Sequence, residues 1–176
     1  MCSVDTREKY PWTEDEIKIK TVSSGLNVGD YKFTAFIETG EEYKTVRAPL
    51  GLVIERKGGT HGESGPQDLY GTLMSKNWER FKREIKRFNE DSTLNVFAIF
   101  AECNEDDFMT YVIPSKRRHA TAEFKRTESQ RRGKIASLND RGVPVQFKGS
   151  RFNCVRDVRP LVIQWICKNY VKVFGL

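Results

Sequence analysis

Leu50-Gly51-Leu52-Val53-Ile54-Glu55-Arg56-Lys57 is the stretch on which the fold turns. An apolar run closed by consecutive charges reads as an interior strand that carries polar side chains to its end. Side chains alternate along a strand, so Glu55 and Lys57 project to one face. The glycines and polar residues of 58–67 follow as a loop that no packing pattern explains.

Working upstream, residues 43–46 read as a strand paired through a hairpin turn at Gly40-Glu41-Glu42 with a partner running through Phe33, Ala35 and Ile37. A turn at Leu26-Asn27-Val28-Gly29-Asp30 leads into that partner. Residues 1–4 form a short strand, 9–16 a loop containing Pro11, and 17–22 a weak alternation ended by Ser23-Ser24-Gly25. Downstream the period changes. Leu69, Leu73, Met74, Trp78, Phe81, Ile85 and Phe88 make one helical face, with the aromatics as core side chains. Strands are expected at 96–101 and at 108–113, where Pro114 ends the second. Residues 116–134 are strongly basic and partly helical. A short helix through Ile135, Ala136 and Leu138 leads by Gly142 to a strand at 143–147. Val155, Val158, Leu161, Val162, Trp165, Ile166 and Tyr170 mark a closing amphipathic helix. Strands interleaved with helices and no internal linker give one α/β domain over 1–176, with a central mixed sheet flanked by helices.

Thirty basic against 24 acidic side chains, a net +6, suggest an anionic partner such as nucleic acid. Cys2, Cys103, Cys154 and Cys167 lack the close spacing of a zinc knuckle, and with only two histidines a structural zinc is not expected. Reduced thiols, an early charged N-terminus and the absence of a long apolar run predict a soluble intracellular protein. The compartment would be cytoplasm or nucleoid in a prokaryote, or the host cell for a virus.

A carboxylate and an ammonium two residues apart at a strand end suit phosphodiester hydrolysis. Glu55 can hold a divalent cation, while Lys57 orients a water and favours developing negative charge. Asp30 supplies a second carboxylate, and an all-oxygen site of this kind suits Mg2+ or Mn2+.

Four ordered elements carry a resemblance: Val4-Asp5-Thr6-Arg7-Glu8, Val28-Gly29-Asp30-Tyr31, Ile54-Glu55-Arg56-Lys57, and Asp68-Leu69-Tyr70-Gly71-Thr72-Leu73. The chain resembles the nuclease domain of the XPF/Mus81 family, well over residues 3–101 and loosely over 102–170. That resemblance implies a restriction-endonuclease-like core and a metal-dependent DNA endonuclease, selective for branched, flap or junction DNA and serving repair or recombination. It implies Asp30 and Glu55 as metal ligands, with the backbone carbonyl of Arg56 as a further one, and Lys57 positioning the water. Asp5 lies beside the metal, as a further ligand or as support for the ligands. Arg7, Glu8 and Arg56 bind the scissile phosphate or tie the site together. Asp68 supports the site at the start of the long helix, where it is also a good N-cap. A homodimer through the nuclease domain is implied, and the helix around Leu161, Trp165 and Ile166 could serve it; burial in the monomer explains those residues equally well.

Two departures stand out. The gap from Lys57 to Asp68 is longer than in the family, and the extra stretch contains His61 and Glu63. No helix-hairpin-helix units are expected after the core, and Arg117, Arg118, Lys125, Arg126, Arg131, Arg132 and Lys134 would substitute as a phosphate-tracking surface. The competing reading is a DNA-binding module on a catalytically dead nuclease fold. Such modules lose the acidic and lysine positions, which this chain keeps.

Overall fold

The computed structural model describes residues 1–39, 44–58, 65–113 and 120–169. The expected interior strand is there, longer than the sequence pattern suggests. β4 runs unbroken over Lys44–Lys57 and absorbs the separate return strand expected at 43–46. It pairs antiparallel with β3 (Tyr31–Thr39) and parallel with β5 (Val96–Ala101). The turn at 40–43 that would join β3 to β4 lies outside the described residues. β1 (Cys2–Asp5) pairs antiparallel with β3 and parallel with β2 (Thr21–Ser24), and β6 (Val145–Phe147) adds parallel to β5. The result is a mixed six-stranded sheet in the order β2-β1-β3-β4-β5-β6.

Strict alternation divides the core in two. Val53, Phe97 and Ile99 face one way and pack on α2 (Gly65–Leu73), α3 (Asn77–Glu90), α4 (Glu105–Thr110) and α5 (Ala120–Asp140). Leu52, Ile54, Ala98 and Phe100 face the other way, onto Trp12, α1 (Glu14–Ile17) and α6 (Arg151–Lys168). Burying both sheet faces explains the apolar runs of β4 and β5. Cys2, Cys103 and Cys154 are buried free thiols that serve as small core residues.

Several expectations are corrected. The pattern at 108–113 predicts a strand, but α4 occupies Glu105–Thr110. Asn104 precedes it, its N–H bonded to the Asp107 carboxylate (3.3 Å), and three acids in the first turn complement the helix dipole. The single helical face from Leu69 to Phe88 is two helices. Ser75 breaks them apart because its hydroxyl bonds the Gly71 carbonyl and accepts from the Asn77 N–H (3.1 Å), offering the backbone another partner. Asp68 is not the cap of that helix; it is the fourth residue of α2. α2 begins at Gly65, inside the stretch 58–67 expected as a loop, and His61 and Glu63 lie outside the described residues. Within 9–16 the chain makes the one-turn α1, where Thr13 and Glu16 form a reciprocal capping box. The short helix through Ile135 and Leu138 is the end of α5.

α6 closes the second face much as its periodicity predicts. Leu161, Trp165 and Ile166 are half-buried against the core of their own chain, and the Trp165 indole N–H donates to the Leu50 carbonyl (2.7 Å). Arg151, at the helix start, binds Glu16 (2.8 Å) and the carbonyls of Tyr10 and Pro11. Its guanidinium, against some burial, holds the Glu16 carboxyl down to about 2. Among the described residues no helix is long and apolar enough to cross a membrane.

Candidate active site

Three adjacent strands bring their acidic residues together. Glu55 and Lys57 share parity with Val53, so both point into the α2–α3 side of the sheet. Asp30 sits immediately before β3. Its N–H donates to the Ile54 carbonyl (3.0 Å), its carboxylate accepts from the Arg56 N–H (2.8 Å), and its carbonyl accepts from the Asp5 N–H (2.8 Å). The preceding Gly29 has φ +66° and lies so close to Val53 that a side chain there would collide with it. The Gly29 N–H is taken by Glu84 of α3 (2.7 Å). The strand ends and these helices enclose a cleft of about 270 Å³.

Lys57 is buried, its ammonium paired with Glu55 and standing 6.0 Å from the centre of the Phe81 ring. Burial works against its charge, but Glu55, Asp68 and Asp30 together hold its pKa above the usual lysine range. The carboxyls show the opposite stress. Burial and the neighbouring Glu55 push Asp30 well above the usual carboxylate range, and Lys57 and the Arg56 N–H do not restore it. Burial likewise raises Asp68, although Lys57 opposes the shift. Glu84 is raised by burial and by Glu55, despite the Gly29 N–H.

This crowding is the test of whether a metal fits. Several carboxylates disfavoured as anions in one cleft are what a divalent cation relieves. Among the described residues no three metal-ligating side chains already converge. A hydrated Mg2+ needs only one or two carboxylates beside water and phosphate, and Asp30 and Glu55 could supply them.

On the second face a different network holds the site in shape. Arg56 has the parity of Ile54 and so turns away from Glu55 and Lys57. Its buried guanidinium grips Glu102 with two hydrogen bonds (2.7 and 3.0 Å) and Glu8 with a third (3.0 Å). Burial opposes its charge, and Glu102 more than compensates, raising its pKa. Glu102 also accepts from the Trp12 indole N–H (3.1 Å), and the Trp12 backbone N–H donates to the Tyr31 hydroxyl (2.8 Å). Of the two roles the resemblance implies for Arg56, the described contacts are those of tying the site together. Arg7 pairs with the buried Asp5 through its Nε (3.0 Å) and reaches the Leu26 carbonyl (2.7 Å). Burial would raise Asp5, but Arg7 wins and its carboxyl lies below the usual range. Asp5, Arg7, Glu8, Arg56 and Asp68 therefore all line the cleft with Asp30, Glu55 and Lys57.

Sequence reasoning missed Glu102, Trp12, Glu84 and Arg80. Glu102 had a signal: it directly follows the buried strand β5, in the position that singled out Glu55 on β4. Glu84 and Arg80 had none, since acids and bases are mixed along the whole polar side of α3.

The basic segment fares unevenly. Arg117 and Arg118 lie outside the described residues, as do the side chains of Lys125 and Arg126. Arg132 is exposed and pairs with Glu128 (2.9 Å), and the Lys134 ammonium stands 4.2 Å from the Trp78 ring. Arg131 is corrected. Only 3% exposed, it donates to the carbonyls of Phe108, Met109 and Tyr111 at the end of α4 and stacks on Tyr70 (5.0 Å). It clamps α5 to α4 and α2 instead of facing solvent. Replacing Arg131 with Ala should cost about 1.5–3 kcal/mol of stability, the range for hydrogen bonds from a charged donor. Urea unfolding checks the loss. A stable variant with weakened DNA affinity would return Arg131 to the surface role.

No protein-family model and no curated protein sequence matches the chain. Among solved structures it is similar to XPF from Aeropyrum pernix, with a TM-score of 0.53 at 16% identity, over 100% of this chain and 75% of that one. The fold is thus the restriction-endonuclease-like α/β arrangement expected from the sequence, a mixed sheet covered by helices on both faces.

Proposed function

We propose that the chain is a divalent-metal-dependent DNA endonuclease related to the XPF/Mus81 nuclease domains. The observation that carries this is the buried Lys57 ammonium on Glu55, in one cleft with Asp30. Asp30 and Glu55 would hold Mg2+ or Mn2+, which supplies Lewis-acid charge to the scissile phosphate. Lys57, fixed by Glu55, orients a water for in-line attack on phosphorus and favours the charge that develops there. Asp68 helps keep Lys57 protonated. Arg56 and Glu102 position Glu8 at the cleft wall. Breakage of the P–O3′ bond leaves a 5′ phosphate, and the 3′ oxygen takes its proton from solvent.

The direct test is cleavage of labelled linear duplex, flap, fork, four-way-junction and single-stranded DNA in Mg2+, Mn2+ or chelator. Metal-dependent cutting by the wild type, lost in Asp30→Ala and Lys57→Ala, is the expected result. The preferred substrate would then define structure selectivity. Binding without cutting under every condition would instead identify a DNA-binding module on a nuclease fold.

A further inference from the structure

Five cationic residues line the cleft, and three of them are spoken for. Arg7 is paired with Asp5, Arg56 with Glu8 and Glu102, and Lys57 with Glu55. The other two, Arg80 and Arg87, are exposed on α3 and have no ion pair among the described residues. They stand seven residues apart, two turns of helix, so both point the same way with about 10.5 Å between them. Glu84 lies between them; its carboxylate accepts from the Gly29 N–H and feels the charge of Arg87, without forming an ion pair with either arginine among the described residues. The apolar face formed by Trp78, Phe81, Ile85 and Phe88 packs into the core and fixes which side of α3 borders the cleft.

We infer that Arg80 and Arg87 are the substrate track of this site, each binding a phosphate of the DNA strand on either side of the one being cut. The inference rests on the proposed nuclease reading. It moves the principal phosphate contacts from the basic segment 116–134 to the rim of the cleft. Two long arginine side chains rooted about 10.5 Å apart on one helix face can each reach a phosphate of one strand and leave the scissile phosphate between them. A cleft lined by carboxylates repels a polyanion, so exposed cations at its edge are what a phosphate backbone requires there.

The test measures affinity of the full chain for a labelled duplex by fluorescence anisotropy, in chelator, across a range of salt. Wild type is compared with Arg80→Gln, Arg87→Gln and Arg83→Gln. Arg83 is an exposed arginine of the same helix that does not line the cleft, so it controls for loss of bulk charge. All three positions are exposed, and thermal melts confirm folding. Each cleft arginine should lower the slope of log K against log salt by about 1, and Arg83→Gln should change it far less. Equal slopes in all three variants would overturn the inference, as would failure of the wild type to bind duplex at low salt. Cleavage of the same duplex in Mg2+ and Mn2+ is read in parallel. A wild type that cuts while the slopes stay equal defeats the track and spares the nuclease; slope losses confined to Arg80 and Arg87 without any cutting do the reverse.

Discussion

Lys57→Met should lose both activity and stability, and by amounts that can be told apart. Removing one preorganised electrostatic group from a closed site lowers turnover by about 10²–10³-fold, so DNA cleavage in Mg2+ should fall by that much. Stability should drop as well, because Lys57 and Glu55 are a buried pair. Taking away the ammonium leaves Glu55, Asp30 and Asp68 crowded together without their counter-charge, and breaking a buried pair from one side costs about 3–5 kcal/mol. A double variant separates the two effects. Lys57→Met combined with Glu55→Gln removes the stranded charge and should recover most of the stability, with no return of cleavage. Wild-type cleavage by a folded Lys57→Met protein would remove Lys57 from the mechanism. A single variant as stable as wild type would show that the pair is not buried.

Much of this site follows from parity along one strand. Alternation from Val53 puts Glu55 and Lys57 on one face, and the order of residues alone makes that legible. The same alternation places Arg56 on the opposite face, against Glu102 and Trp12. A contiguous Glu-Arg-Lys motif conceals this by inviting the three residues to be read as one cluster. Longer-range arrangements left no local mark. Nothing in the sequence of α3 says that Glu84 will accept from Gly29, fifty-five positions away. Short elements failed for a different reason. Phe108-Met109-Thr110-Tyr111-Val112-Ile113 is rich in aromatic and β-branched residues, and over six residues composition favours a strand. The capping residue and acids just before it decide otherwise, and they act only at the helix start. Ser75 is similar: one hydroxyl divides a helix whose apolar period continues across the break.

Asp30→Asn should abolish cleavage while making the metal-free protein more stable at neutral pH. Burial and Glu55 raise Asp30 well above the ordinary carboxylate value, whereas in the unfolded chain it ionises near about 3.9. Between those two values the folded state keeps a proton that the unfolded state has released, so stability falls as pH rises through the window. Asparagine is neutral at every pH and still offers an oxygen to the Arg56 N–H, so it avoids that loss. In chelator at pH 7 the variant should gain about 0.5–2 kcal/mol, the usual scale of a substitution that relieves strain in a working site. The gain should shrink as pH falls and vanish below about 4, where the wild-type carboxyl is protonated in both states. Mg2+ should act in the opposite sense. Binding between Asp30 and Glu55 stabilises the folded wild type by mass action, so its melting temperature should climb with Mg2+ while that of the variant stays nearly flat. Thermal melts across pH, with and without Mg2+, read both effects. Equal melting temperatures at pH 7 in chelator, or a difference that ignores pH, would mean that Asp30 is not under strain in the metal-free protein. A wild type indifferent to Mg2+ would mean that its carboxylate is not where the cation binds.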